Sequence, residues 1–383
     1  MRWRSVENAL CFLLPTPHMP SAPRVELLYQ LTRASGRSRR LHNPLLDMLL
    51  AVREEGSISG AARQLGLSYR HVWGQLKSWE LEVGHELIVW DRGQAARLTP
   101  FADKLLWAER LAQARLAPQI EALQAELERA LATVFDDQTL VLSLHASHDD
   151  AVSALQDLSS HQAGLHLDIQ FTGSVDAIRA LNEGRCQVAG FHTRQQPGRQ
   201  TLTARTYKPL LQPGRHKVMG FALRTMGLMV AAGNPLALHG LADAARPSVR
   251  WVNRPLGSGT RVLLDEMLAE AGLSAQQVCG YDQCQPSHAA VAQAVASGQA
   301  DVGMGPQSAA AAAGLGFVPL VEERYQLVCL KSALDTPAVD ALRRLLASPV
   351  WQHALMQLPG YAPDNAGSVQ AMSRWLPWWT FKP

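Results

Sequence analysis

The chain has 383 residues, 47% of them apolar and 18% charged, and carries a net charge of +3. That length allows two or three domains with sizeable cores, and the balance excludes a disordered or fibrous protein. The net charge is too small to indicate nucleic acid by itself. Residues 1–100 nevertheless hold 13 Lys/Arg against 9 Asp/Glu, so the basic surplus lies toward the N-terminal end.

Five cysteines, Cys11, Cys186, Cys279, Cys284 and Cys329, are odd in number and form no C-x-x-C pair. They suggest thiols in a reducing cytoplasm rather than a disulfide framework or a zinc site. Residues 1–20 faintly imitate a secretory signal, but the apolar run is short and Glu7 precedes it. The expectation is a disordered tail, with Met19 a candidate start. Val25 to Leu31 alternates like a strand and could pair with Arg39 to His42. No stretch is long or apolar enough to span a membrane.

Leu45, Leu46, Leu49, Leu50 and Val52 fit a first helix. The run Gly56 to Glu80, GSISGAARQLGLSYRHVWGQLKSWE, then has the spacing of a helix, a tight turn and a second helix. Ala61, Ala62 and Leu65 recur at helical steps, and Gly66 gives the turn its backbone freedom. Ser68 is a good N-cap, and Val72, Leu76 and Trp79 mark a buried face. On the other face, Ser68, Tyr69, Arg70, His71, Gln75 and Lys77 are candidates for reading DNA from the major groove. Leu87 to Trp90, the turn DRGQAAR and Arg97 to Pro100 predict a hairpin wing, on which Arg92 and Arg97 would hold phosphate.

Between Phe101 and Leu131 there is one proline, Pro118, and no glycine. Leu105, Ala108, Ala112, Leu116, Ile120, Leu123, Leu127 and Leu131 form a seam at three- and four-residue steps. Such a seam on a long connecting helix predicts a homodimer; the alternative is that it packs on its own chain.

Beyond Phe135, short β-type runs alternate with helical ones, which predicts an α/β domain with a largely parallel sheet. Ligands bind beyond the C-terminal strand ends of such sheets. Three loops there share a chemistry: Ser147 after the first strand, Gly173-Ser174 after the second, and Gly257-Ser258-Gly259-Thr260 before a helix from Val262 to Ala271. Hydroxyls and small residues at helix N-termini suit an anion, although each alone is explained by simple capping. Ser147, Ser174, Ser258 and Thr260 are the expected donors, all uncharged, with Gly173, Gly257 and Gly259 allowing backbone approach. His148 and His288 are secondary candidates. Val218 to Asn234 and Gly303 to Val318 are the expected crossings between two lobes, and the aromatic tail Arg374 to Trp379 is expected to cover a lobe or dimer surface.

Residues 45–131 resemble the winged helix-turn-helix of LysR-type regulators, and SISGAARQLGLSYRHVW with ARLTPF looks like that of ModE-type molybdate-responsive regulators. Residues 140 to about 330 resemble a periplasmic-binding-protein-like domain related to molybdate-binding proteins, on the runs ASHD, NRPLGSGTRVLLDEML, SHAAVAQAVASGQADVGMG and GLGFVPLVEERYQLV. The resemblance implies an α/β architecture in four parts. These are a tail (1–20), a winged helix-turn-helix (21–99), a connecting dimerisation helix (100–134) and a two-lobed, type II sensing domain (135–383). It implies molybdate or tungstate in the cleft and an operator in double-stranded DNA. The ModE type carries a different sensor and a glycine run in its wing, where this chain has Asp91-Arg92-Gly93-Gln94.

The expected function is therefore a cytoplasmic DNA-binding regulator controlled by a small oxyanion, without a cofactor. One alternative is a regulator sensing a small organic acid, which Arg179, Arg194 or Arg261 in the cleft would favour. Another is an oxyanion-binding protein with a degenerate DNA-binding half. An enzyme is not expected, because Ser258 lacks the G-x-S-x-G spacing and an assignable base.

Overall fold

The computed structural model describes residues 43–90, 95–135, 140–162 and 164–379. The N-terminal tail, the early hairpin and the wing tip with Arg92 lie outside them. Helix α1 (Pro44–Glu55) starts where Asn43 accepts from two backbone N–H groups and Pro44 presets the first turn. Helix α2 (Ile58–Leu65) is capped by Ser57 and ends at Gly66, whose φ of 67° only glycine adopts readily. Ser68 then caps α3 (Tyr69–Val83). Leu49, Val52, Ala61, Val72, Leu76 and Leu87 form the core of this unit. Strands β1 (Ile88–Val89) and β2 (Arg97–Leu98) pair antiparallel as the base of the wing.

Helix α4 (Pro100–Phe135) runs 36 residues, about 54 Å at 1.5 Å per residue. Its first turns, through Ala102 and Leu106, belong to the DNA-binding core. Pro118 lies inside it. Proline has no N–H, so the carbonyl four residues earlier, that of Ala114, loses its helical donor. Ser287 supplies one instead, at 2.8 Å.

The C-terminal domain is built on β3 (Leu140–Ala146), α5 (Asp150–Gln162), β4 (Leu165–Phe171), α6 (Ser174–Asn182), β5 (Val188–Arg194) and α7 (Leu202–Tyr207). Strand β6 (His216–Val230) then crosses to a second lobe of α8 (Leu241–Ala244), β7 (Trp251–Val252), α9 (Gly259–Glu270), α10 (His288–Ala296), β8 (Val302–Pro306) and α11 (Gln307–Ala312). Strand β9 (Gly316–Leu330) returns to α12 (Pro337–Ala347), α13 (Pro349–Met356), β10 (Tyr361–Pro363), β11 (Val369–Gln370) and α14 (Met372–Trp375).

One nine-stranded sheet, with the path β4-β3-β5-β9-β6-β8-β7, passes through both lobes. It is mixed rather than largely parallel. Pairs β3/β4, β3/β5 and β7/β8 are parallel within their lobes, while β6 and β9 run antiparallel because one leaves as the other returns. The return crossing is thus β9, not the expected Gly303 to Val318, whose first residues belong to β8 inside the second lobe.

Halfway along, the register shifts twice on β6, and between the shifts Arg224 faces Glu323. N-terminal of that point, Met219 and Phe221 join the first lobe's core; beyond it, Met226 and Leu228 join the second's. Trp375, Leu376 and Trp378 of the tail pack on the first lobe beside Tyr207. Cys186 and Cys329 are buried, Cys279 and Cys284 exposed, and all four are free thiols. Among the described residues no helix is long and apolar enough to cross a membrane.

Candidate effector cleft and DNA-binding face

On α3, Tyr69, Arg70, His71 and Gln75 are exposed, opposite the buried Val72 and Leu76. Ser68 is exposed too, but its hydroxyl accepts from the backbone N–H of His71, so its role in the structure is a cap. Lys77 is committed as well. It pairs with Glu80 at 2.6 Å and lies over the Trp73 ring, while Glu80 accepts from the N–H of Leu87 and ties the wing to α3. Lys77 and its backbone hydrogen bonds hold the Glu80 carboxyl below its usual range against the opposing effect of burial. Arg97 is exposed on β2.

The loops chosen from sequence meet in the C-terminal domain, where the lobes are in direct contact. A Cβ placed on Gly173 would fall 2.8 Å from the carbonyl oxygen of Gly257, and one on Gly259 would fall 2.9 Å from Nδ1 of His192. Those two glycines therefore let one lobe's backbone approach the other. Gly257 is required differently, by its φ of 84°. Ser258 donates its hydroxyl hydrogen to the Pro255 carbonyl and accepts from Arg261 N–H, so the hydroxyl caps α9 rather than facing a ligand.

Ser147, Ser174 and Thr260 are buried. Ser174 Oγ lies 3.1 Å from Nδ1 of His192, and Thr260 Oγ1 lies 3.4 Å from Nε2 of His288. The His192 ring packs on Tyr325, 3.9 Å between centroids, and the Tyr325 hydroxyl donates to the Ser147 carbonyl. Ser147 Oγ, His192 Nε2, His288 Nδ1 and Arg254 Nε are buried and have no partner among the described residues. Burial, with the charges of Arg224 and Arg254, pulls both imidazoles well below their ordinary range, so they are neutral.

A small opening between the lobes is lined by His148, Asp149 and Asp150 at the start of α5 and by His288, Gln293 and Ala309 of the second lobe. It shares His288 with the polar cluster but not Ser147, Ser174 or Arg254, which the contact between lobes covers. Beside it, Arg224 pairs with Glu323 at 2.6 Å and with Asp149, and Tyr361 donates to Asp149 at 2.7 Å. Burial works against the Arg224 charge, but Glu323 and Asp149 hold it well above the usual range.

The arginines named from sequence are engaged elsewhere. Arg179 is exposed and pairs with Asp176, Arg194 pairs with Glu266 and Glu270, and Arg261 stacks on Tyr281 and bonds to Asp265. Arg254 is the residue that sequence reasoning missed. Its signal was present, since it follows strand β7 inside NRPLGSGTR, a run weighed only for its glycines and hydroxyls.

The PBP superfamily domain family matches residues 155–347. The chain belongs to that superfamily. The bacterial regulatory helix-turn-helix family of lysR type matches residues 45–103, and the joined pair makes the chain a LysR-family DNA-binding transcriptional regulator with an effector-binding domain. The chain is similar to the uncharacterized protein YvgK of Bacillus subtilis, 34% identical over 222 residues, 56% of this chain and 71% of that one. A second relative, an uncharacterized protein in the ferredoxin 2Fe-2S gene 5' region of Clostridium pasteurianum, is 32% identical over 109 residues, 28% of this chain and 96% of its own length. Among solved structures, an OxyR mutant from Corynebacterium glutamicum is 16% identical with a TM-score of 0.43, covering 82% of this chain and 92% of its own.

Proposed function

We propose that this regulator is controlled by a small oxyanion, molybdate or tungstate, held between the lobes of its PBP domain. The observation that carries the reading is the buried, unpartnered Ser147 hydroxyl, linked through Tyr325 and His192 to Ser174, the first residue of α6. Helix N-termini favour negative charge, and Ser174 and Thr260 add hydroxyls there. Gly173 and Gly259 serve the ligand indirectly, by letting the lobes close over it, and Gly257 by the positive φ that the turn before α9 requires.

Tyr69, Arg70, His71 and Gln75 read the operator in this proposal, with Arg92 and Arg97 on phosphate. Their exposed, capped helix favours an active DNA-binding half over a degenerate one. The helix α4 seam supports a homodimer. Leu116, Leu123 and Leu127 are exposed apolar side chains on α4, while Leu111, Ala114 and Glu121 face the chain's own domains. Closure of the lobes would reach the recognition helices through α4.

Calorimetric titration of the full chain with molybdate, tungstate and sulfate tests the effector; failure of all three to bind overturns it. The regulator half is tested separately. Replacing Arg70 with alanine is expected to weaken specific operator binding by about 10- to 100-fold, and an unchanged affinity would remove Arg70 from the interface.

A second reading, a small organic acid, is favoured by Arg254, because a buried guanidinium also suits a carboxylate.

A further inference from the structure

We infer that Arg254 is the charge-selecting residue of the cleft, so that the site takes a small anion whose oxygen bonds the Arg254 guanidinium and rejects neutral molecules of the same shape. The inference rests on the effector reading above and deepens it. It also replaces the expectation that uncharged donors alone hold the ligand.

Arg254 is 7% exposed. Its Nη1 donates to the carbonyl of Gln285 at 2.9 Å, and its Nε has no partner. No carboxylate pairs with it among the described residues. The charges acting on it are Arg224, which repels it, and Cys284, and burial with that repulsion pulls the guanidinium down to about 10. Arg224 lies deeper still but is balanced by Glu323 and Asp149. A buried cation left unbalanced next to another cation is costly to hold, and an anion bound beside it removes the cost.

The neighbouring groups agree with that sign. His192 Nε2 and His288 Nδ1, on both of which the Arg254 charge acts, are buried and unpartnered, as is Ser147 Oγ. The imidazoles are neutral, so they offer hydrogen bonds without adding charge. A cation is disfavoured by Arg254 itself, and the described residues include no group of three or more His, Cys, Asp or Glu that could hold a metal. The Gln285 carbonyl fixes the fork of the guanidinium, which favours Arg over a flexible Lys.

Full-length protein is titrated with sodium molybdate, sodium sulfate, sodium succinate and the neutral sulfate isostere dimethyl sulfone. The wild type is expected to bind at least one anion and not the sulfone. Arg254→Gln is expected to weaken that anion by about 100-fold and Arg254→Lys by about 10-fold. Without ligand, Arg254→Gln should melt no lower than the wild type, because it removes an unbalanced buried charge. The exposed control Arg179→Gln should bind as the wild type does.

Anion binding by Arg254→Gln within threefold of the wild type overturns the role of Arg254 and leaves the effector reading standing. Binding of no anion to the wild type overturns both. If Arg254→Gln melts well below the wild type, Arg254→Lys decides: retained binding supports charge selection, and lost binding overturns it. Whether molybdate, sulfate or succinate binds separates a tetrahedral oxyanion from a carboxylate.

Discussion

The Ser287 hydroxyl of the second lobe donates to the Ala114 carbonyl of α4, the carbonyl that Pro118 leaves without a helical donor. One residue on, Arg115 donates to the Gln285 side chain, whose backbone carbonyl accepts from Arg254. Seven residues beyond Ala114, at the same side of the helix, Glu121 accepts from His148 and Ser153 of the first lobe. Helix α4 is thus bonded to both lobes across two turns, and at its other end it is part of the DNA-binding core.

Glu121 is buried and holds the first-lobe end of that bridge. Glu121→Ala should lower stability by about 1–3 kcal/mol and reduce the change in operator affinity that effector produces, while effector still binds. Operator affinity measured with and without effector checks it. An undiminished effector response would show that the bridge carries no signal.

Gly173 has φ −69° and ψ 155°, a conformation alanine adopts freely. The nearest obstacle to a methyl group there is the Gly257 carbonyl of the opposite lobe, followed by the Ser258 nitrogen. Gly173→Ala is therefore expected to leave the lobes folded but hold them apart, weakening effector binding by about 10-fold or more. Titration together with small-angle scattering reads both effects, and unchanged affinity with unchanged dimensions would count against it.

His192 and His288 are held well below their ordinary range of 6.5. In the unfolded chain both take up protons near pH 6.5, whereas in the folded protein they stay neutral to lower pH. The unfolded state thus binds more protons, and stability that is complete above about pH 6.5 falls as the pH drops below it. Melting temperatures followed from pH 8 to pH 5 should decline below pH 6.5. His192→Gln should flatten part of the decline.

Leu123 is 56% exposed on the α4 stripe that includes Leu116 and Leu127. Leu123→Glu should shift the protein toward monomer and weaken binding to a paired operator site, with little effect on the chain's own stability. Sedimentation equilibrium decides the first point, and a dimer as stable as the wild type would exclude the stripe as the seam.

Much of this organisation was legible in the sequence because it is written in local patterns. Ser57, Gly66 and Ser68 mark the helix-turn-helix, and the alternation beyond residue 135 marks the α/β domain. The sheet direction was not legible. Nothing local to Gly316–Leu330 says that it, rather than Gly303 to Val318, is the return crossing. Ser258 looked like Ser147 as a candidate donor, and the Pro255 carbonyl and Arg261 N–H, each three residues away, distinguish them.

By itself the sequence determined the helix starts, the apolar stripe of α4 and the loops that carry Ser147, Ser174 and Thr260, since caps, periodicity and turns act over a few residues. Tertiary structure alone decided which polar groups are left without partners. Arg194, Arg224, Arg254 and Arg261 are indistinguishable as letters. Arg194 and Arg224 meet carboxylates brought from distant strands and helices, Arg261 meets Asp265 one turn along its own helix, and among the described residues Arg254 meets none. That difference depends on long-range packing, which no local pattern encodes.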